Sequence, residues 1–114
     1  QMIINEDNAR MINNAKAAGR KVCTVGTSSM KAVETAAIID NRVKVFNGWT
    51  NKFIFPPYEF AISDAMITNF HPPLSSMLMQ VAAFGGYELI MNAYKYAIEK
   101  KYKFFTYGDA MLII

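Results

Sequence analysis

The stretch KVCTVGTSSMKAVETAAII, residues 21–39, sets the architecture. Residues 21–25 form a short apolar run suited to a buried strand. It stops at Gly26-Thr27-Ser28-Ser29. Met30, Val33 and Ala37 then recur at the spacing of one helical face, which predicts a helix over 29–39. A strand that feeds through a glycine turn into a helix is the opening of an α/β unit.

Working outward, a helix is expected over 5–18. Asn5 can cap it, Glu6 and Asp7 suit its positive end, and Gly19 can take the left-handed position that stops it. Met11, Ala15 and Ala18, with Ile12 alongside, mark its apolar face. Downstream, Asp40-Asn41 reads as a turn, and Val43, Val45 and Phe46 as a strand broken by Asn47-Gly48. The aromatic segment 49–60 holds Pro56-Pro57 and is partly extended, partly loop. Residues 61–67 form another strand or turn that leads into Thr68-Asn69-Phe70-His71-Pro72-Pro73. Ser75 or Ser76 can then cap a helix over 77–84, apolar all round and so interior, ended by Gly85-Gly86. Residues 87–101 read as the clearest helix, with Leu89, Ala93 and Ala97 in one row and Ile90, Tyr94 and Ile98 beside it. Residues 104–106 suggest a strand, Gly108-Asp109 a turn, and the apolar end a last strand. The expected class is α/β, with short, at least partly parallel strands and flanking helices.

The chain has 114 residues, 53% hydrophobic and 18% charged. That is apolar for a domain of this size: either the charges are unusually well spread, or part of the apolar surface faces a missing part of the protein, where it would favour self-association. A first residue that is not Met and an apolar last segment, DAMLII, point to an excised fragment. No run approaches the roughly 18 apolar residues of a membrane helix, and no signal-peptide pattern is present. The single cysteine, Cys23, excludes a disulfide framework and a Cys₄ zinc site. It reads as a small buried core residue, with a catalytic thiol as the alternative. Together these predict a cytoplasmic protein. The net charge of +3 fits a polyanionic partner. Lys95, Lys100, Lys101 and Lys103 either serve such a partner or complement a helix dipole.

Chemistry is expected in two places. At Gly26-Thr27-Ser28, backbone N–H groups and hydroxyls converge at a helix start, which suits a carboxylate or phosphate; equally, Thr27 or Ser28 can be a helix cap. The loop after residue 67 holds Thr68, Asn69 and the only histidine, His71, before prolines that stiffen it. His71 can be a general acid or base near neutral pH, or a structural residue. Trp49, Phe53, Phe55, Tyr58 and Phe60 can stack on bases or form a core; Phe53 and Phe55 are assigned to the core and Trp49 to the surface. Asp109 is a candidate carboxylate at a strand end or a turn residue, and Glu59 and Asp64 are further carboxylate candidates.

Four blocks occur in series: VGTSSMKAVE (25–34), GWTNKFIFPPYEF (48–60), DAMITNFHPPLSSMLM (64–79) and YKFFTYGDAMLI (102–113). In this order and spacing they resemble the S-adenosylmethionine:tRNA ribosyltransferase-isomerases of queuosine biosynthesis, over nearly the whole chain. The resemblance implies transfer of the ribosyl part of S-adenosylmethionine to 7-aminomethyl-7-deazaguanine in tRNA. Rearrangement gives epoxyqueuosine, and adenine and methionine are released. S-Adenosylmethionine is then a consumed co-substrate, with no true cofactor and no metal site implied. The resemblance further implies that residues 1–114 are the C-terminal part of an α/β main domain, a single incomplete domain without the family's small β-barrel insertion, and inactive alone. His71, Thr68, Asn69 and Asp109 become the catalytic candidates. Gly26, Thr27, Ser28, Trp49, Tyr58 and Glu59 become the substrate-binding ones. Three departures stand out. Lys31 occupies a position where the family usually has Arg, Pro72-Pro73-Leu74-Ser75 replaces a Leu-Pro-basic-Ser pattern, and the histidine-rich block that precedes the first helix is absent. The alternatives are a stand-alone RNA- or nucleotide-binding α/β module and a small enzyme that uses residues 26–29 for phosphate.

Overall fold

The computed structural model of the chain describes residues 1–50, 52–72, 75–103 and 108–114. Its elements run β1 (Met2–Ile4), α1 (Glu6–Ala17), β2 (Cys23–Val25), α2 (Thr27–Thr35), β3 (Ala37–Ile38), β4 (Arg42–Val43), β5 (Phe46–Gly48), β6 (Ala65–Asn69), α3 (Ser76–Gly85), α4 (Tyr87–Glu99) and β7 (Ala110–Ile113). The central sheet has the order β2-β6-β7. β2 and β6 are parallel, with Thr24 opposite Met66, and β7 is antiparallel to β6, with Asn69 opposite Ala110. The mixed α/β class expected from the alternating pattern is what forms.

Local chemistry explains the boundaries. The Asn5 side chain accepts the Asn8 N–H at the start of α1, and Gly19 follows its end at a φ of +72°. Asp40 and Asn41 both take positive φ, as Asx residues tolerate, in the tight β3–β4 hairpin. Ser75 caps α3 by accepting the Leu78 N–H. Gly86, at a φ of +90°, both ends α3 and begins α4. The strand expected over 104–106 falls outside the described residues.

Two cores hold the layers. Met30, Met66, Phe70, Val81, Ile90 and Tyr94 join α2, β6, α3 and α4. Ile4, Ala9, Val33, Val43 and Ile62 join β1, α1, α2 and β4. Several expectations fail here. The inner face of α1 is not Met11-Ala15-Ala18: Met11 is 68% exposed, whereas Ala9 is buried and Ile12 packs beside it. Asn13 on that same face holds the Val43 backbone through both its amide oxygen and nitrogen, so the packing face is partly polar. Cys23 is exposed rather than buried, because Thr24 is the β2 residue that turns into the core. Phe53 and Phe55 stay about half exposed and pack on each other, while Ile54 between them is the buried residue. Asn47 and Gly48 do not break a strand; they lie in β5, which pairs with the unforeseen β1. α2 begins at Thr27 and ends at Thr35, so Ala37 belongs to β3 and not to the helix. α3 is buried through Leu78, Gln80, Val81 and Ala82, but Met77 is exposed, so the helix is not interior all round. In α4, Ile90, Tyr94 and Ala97 face the core and Leu89 and Ile98 face outward.

Candidate functional site at the carboxyl ends of the parallel strands

β2 and β6 run in the same direction, so both end on one side of the sheet. The Gly26 N–H donates to the Ile67 carbonyl at 2.8 Å, which extends the ladder and sets the start of α2 beside the end of β6, where Thr68 and Asn69 lie in the strand and not in the expected loop. Because β7 is antiparallel, its first residue lies opposite Asn69 and brings Asp109 to the same edge. Crevices outside the carboxyl ends of parallel strands are where open α/β sheets bind ligands.

Thr68 is on the core-facing side of β6 and only 3% exposed. Its Oγ1 lies 2.8 Å from Nε2 of His71. The backbone N–H of His71 donates to the Tyr94 hydroxyl at 2.8 Å, so the loop is fastened to α4. Phe70 is buried between, edge-on to the Tyr94 ring at 5.2 Å between centroids. Burial holds the His71 pKa below its ordinary value of 6.5. The ring is therefore neutral at pH 7 and fit to accept a proton. Burial pushes the Tyr94 hydroxyl above its ordinary 10, with the His71 N–H acting in the opposite sense.

At the neighbouring turn Gly26 has a φ of +91°, and α2 starts without any side-chain cap. Thr27 and Ser28 are thus not caps but the first helical residues, and the amide groups of that first turn are left for an anion. The buried Gln80 of α3 donates to the Thr27 carbonyl at 2.7 Å and fixes the turn from below. Ser28, Ser29, Lys31 and Trp49 line a groove of about 550 Å³ that runs on from this turn. Trp49 is 81% exposed, as expected of a surface ring.

The structure thus joins Thr68 with His71 and sets Ser28 beside Trp49. Asn69 reaches the Asp109 backbone carbonyl at 3.5 Å, and the Asp109 carboxylate accepts the Lys103 N–H, a turn-closing bond. Tyr58 is edge-on to Phe60 and under the Lys52 ammonium; Glu59 is exposed on the same segment. No hydrogen bond among the described residues links Tyr58 or Glu59 to the His71 loop. Pro73 and Leu74, where the family pattern differs, lie outside the described residues. Among the described residues, no group of three or more His, Cys, Asp or Glu side chains is placed to hold a metal ion.

Three contributors were not legible as site residues in the sequence. Tyr94 read as a core row position, and neither Gln80 nor Glu34 was read as a site residue. Glu34 is 3% exposed, and its carboxylate accepts the N–H groups of Ala61, Ile62 and Ser63 at 2.8, 2.9 and 3.0 Å. Those residues lead straight into β6. An acidic residue on an otherwise apolar helix face was the available signal. Asp64 follows them and also serves the scaffold. Its own burial opposes ionisation, but the Val22 N–H at 2.9 Å and the Lys16 ammonium at 3.1 Å outweigh that and hold its pKa below 3.8.

A mixed sheet with a histidine loop and an uncapped helix start at one strand edge defines an α/β domain with a candidate ligand site at that edge. More particularly, the chain belongs to the family of queuosine biosynthesis proteins, whose model matches residues 1–113. It is 58% identical over 114 residues to an S-adenosylmethionine:tRNA ribosyltransferase-isomerase of Parabacteroides distasonis, covering all of this chain and 33% of the relative. A protein of the same name from Phocaeicola vulgatus is 56% identical, with 32% of it covered. The crystal structure of an S-adenosylmethionine tRNA ribosyltransferase from Thermotoga maritima superposes with a TM-score of 0.92 at 39% identity, over 98% of this chain and 39% of that one. The chain spans about a third of the length of the curated relatives it matches. No helix among the described residues is long and apolar enough to cross a membrane.

Proposed function

We propose that residues 1–114 are the C-terminal part of the α/β main domain of an S-adenosylmethionine:tRNA ribosyltransferase-isomerase. The whole protein would transfer and isomerise the ribosyl moiety of S-adenosylmethionine onto 7-aminomethyl-7-deazaguanine in tRNA. Epoxyqueuosine forms, adenine and methionine leave, and S-adenosylmethionine is a consumed co-substrate rather than a cofactor. The observation that carries this reading is His71, its ring paired with Thr68 and its backbone N–H fastened to Tyr94, beside the uncapped turn at Gly26 in a chain of this family.

The reaction needs a base to remove a proton beside the sulfonium and a donor to assist adenine departure. A neutral His71 suits the first role better than the second, since a lowered pKa disfavours the protonated ring. With Nε2–H donating to Thr68, Nδ1 keeps its lone pair for that proton. The first-turn amides at Thr27 and Ser28 hold the methionine carboxylate, and Trp49 stacks on a base. Asn69 and Asp109 shape the far edge of the crevice, while Tyr58 and Glu59 would contact substrate from the 52–60 segment. Full-length protein incubated with S-adenosylmethionine should release adenine only when substrate tRNA is present. Folded protein that releases none would reject the reading.

A further inference from the structure

At the opposite ends of β2 and β6, away from His71, lies a second groove of about 640 Å³. Four cations line it, Lys16, Arg20, Lys21 and Arg42, against two carboxylates, Asp40 and Asp64. Lys16 and Asp64 neutralise each other at 3.1 Å, and Lys16 is further held by the Ile62 carbonyl at 3.0 Å. Arg20, Lys21 and Arg42 are exposed, and none of their side chains has a hydrogen bond or ion pair among the described residues. Lys21 lends Asp64 only a longer-range attraction. Three uncommitted cations therefore face one uncommitted carboxylate. The carbonyl end of α1, which would repel an anion, is closed by the N–H groups of Ala18, Gly19 and Arg20 bonding back to Asn14, Lys16 and Ala15. The groove is lined mostly by polar side chains and lies between the end of α1 and the β3–β4 hairpin.

We infer that this groove is a docking site for the phosphodiester backbone of RNA, separate from the crevice where the base reacts. Phosphates are recognised by arginine and lysine side chains without regard to sequence, and such a site positions a substrate without touching its reacting atoms. β6 is about 16 Å long at 3.3 Å per residue. One structured RNA can thus engage both ends of the layer, its base in the His71 crevice and its backbone here. Occupation by RNA rests on the reading of the protein as one that acts on tRNA.

The test is tRNA binding by the full-length protein and by its Arg20→Gln/Lys21→Gln/Arg42→Gln variant, followed by fluorescence anisotropy between 50 and 200 mM salt. Each lost phosphate contact flattens the log Kd against log salt slope by about 0.7–0.9, so three flatten it by about 2–3. Across that salt range the wild-type affinity should fall about 20- to 40-fold more than the variant's. The charge-keeping variant Arg20→Lys/Arg42→Lys should retain the wild-type slope. Equal slopes for wild type and triple variant, or no salt-dependent binding by the wild type, would overturn the inference. Adenine release measured in parallel separates the two claims. Loss of RNA affinity in a protein that releases no adenine would leave the groove standing and reject the activity. Adenine release with unaltered RNA binding would do the reverse.

Discussion

Replacing Glu34 by Gln tests whether one buried carboxylate holds the strand that carries the site. Oε1 accepts the Ala61 N–H, and Oε2 accepts those of Ile62 and Ser63. Glutamine keeps the shape but has one oxygen. Turned toward Ile62 and Ser63, it points an NH₂ at the Ala61 N–H; turned the other way, it strands two donors. The first arrangement is the cheaper one. It loses one charge-assisted bond, strands a donor that is part-buried, and weakens the remaining two by removing the charge. Bonds to charged groups contribute about 1.5–3 kcal/mol each and a stranded buried donor costs about 1–3 kcal/mol, so the substitution should cost about 3 kcal/mol. That is a large share of the roughly 5–15 kcal/mol that holds a typical domain. Urea unfolding followed by circular dichroism should show the midpoint falling by about 1–3 M, at the m-values of about 1–3 kcal/mol/M usual for such chains. A midpoint within about 0.3 M of wild type at unchanged slope would refute the reasoning.

Other consequences are as direct. The unfolded chain protonates His71 at its ordinary value of 6.5, above the folded value, so stability is level at higher pH and falls as pH drops through 6.5. His71→Gln should remove that part of the acid-side decline in urea midpoints between pH 5 and 8, and a constant offset across the range would contradict it. A Cβ on Gly85 would come within 2.6 and 2.9 Å of Ile90 Cδ1 and Cγ1. Gly85→Ala should therefore cost about 1–3 kcal/mol by calorimetry or urea titration, and a neutral result would show that Ile90 can yield. Ile3, Met11, Ile39, Leu89, Ile98 and Ile114 are all exposed. The isolated chain should sediment as more than a monomer, which a single monomeric boundary at all concentrations would refute.

What was legible in the sequence follows from distance along the chain. Asn5 and Ser75 act on N–H groups three residues away, and Gly19 and Gly86 act through their own φ, so the helix limits could be read locally. The Thr68–His71 pair was legible for the same reason. Its fastening by Tyr94 spans 23 residues and was not. β1 and β5 are three residues each and form only because they meet across the fold. The α1 face misled because its inner side uses Asn13 and Lys16, whose amide and ammonium are satisfied by distant carbonyls and by Asp64. Hydrophobic spacing does not detect such a face. Phe53, Phe55 and Cys23 were assigned to the core on residue type alone, and in each case the neighbouring residue takes the buried place.

The crevice at the carboxyl ends of β2 and β6 is proposed to carry out the chemistry through His71. Single-turnover adenine release by full-length protein with S-adenosylmethionine and substrate tRNA, wild type against His71→Ala, tests it most directly. The expected result is release by the wild type and a rate lower by about 10² or more in the variant, with urea unfolding showing that the variant is folded. Near-normal release by folded His71→Ala protein would contradict it.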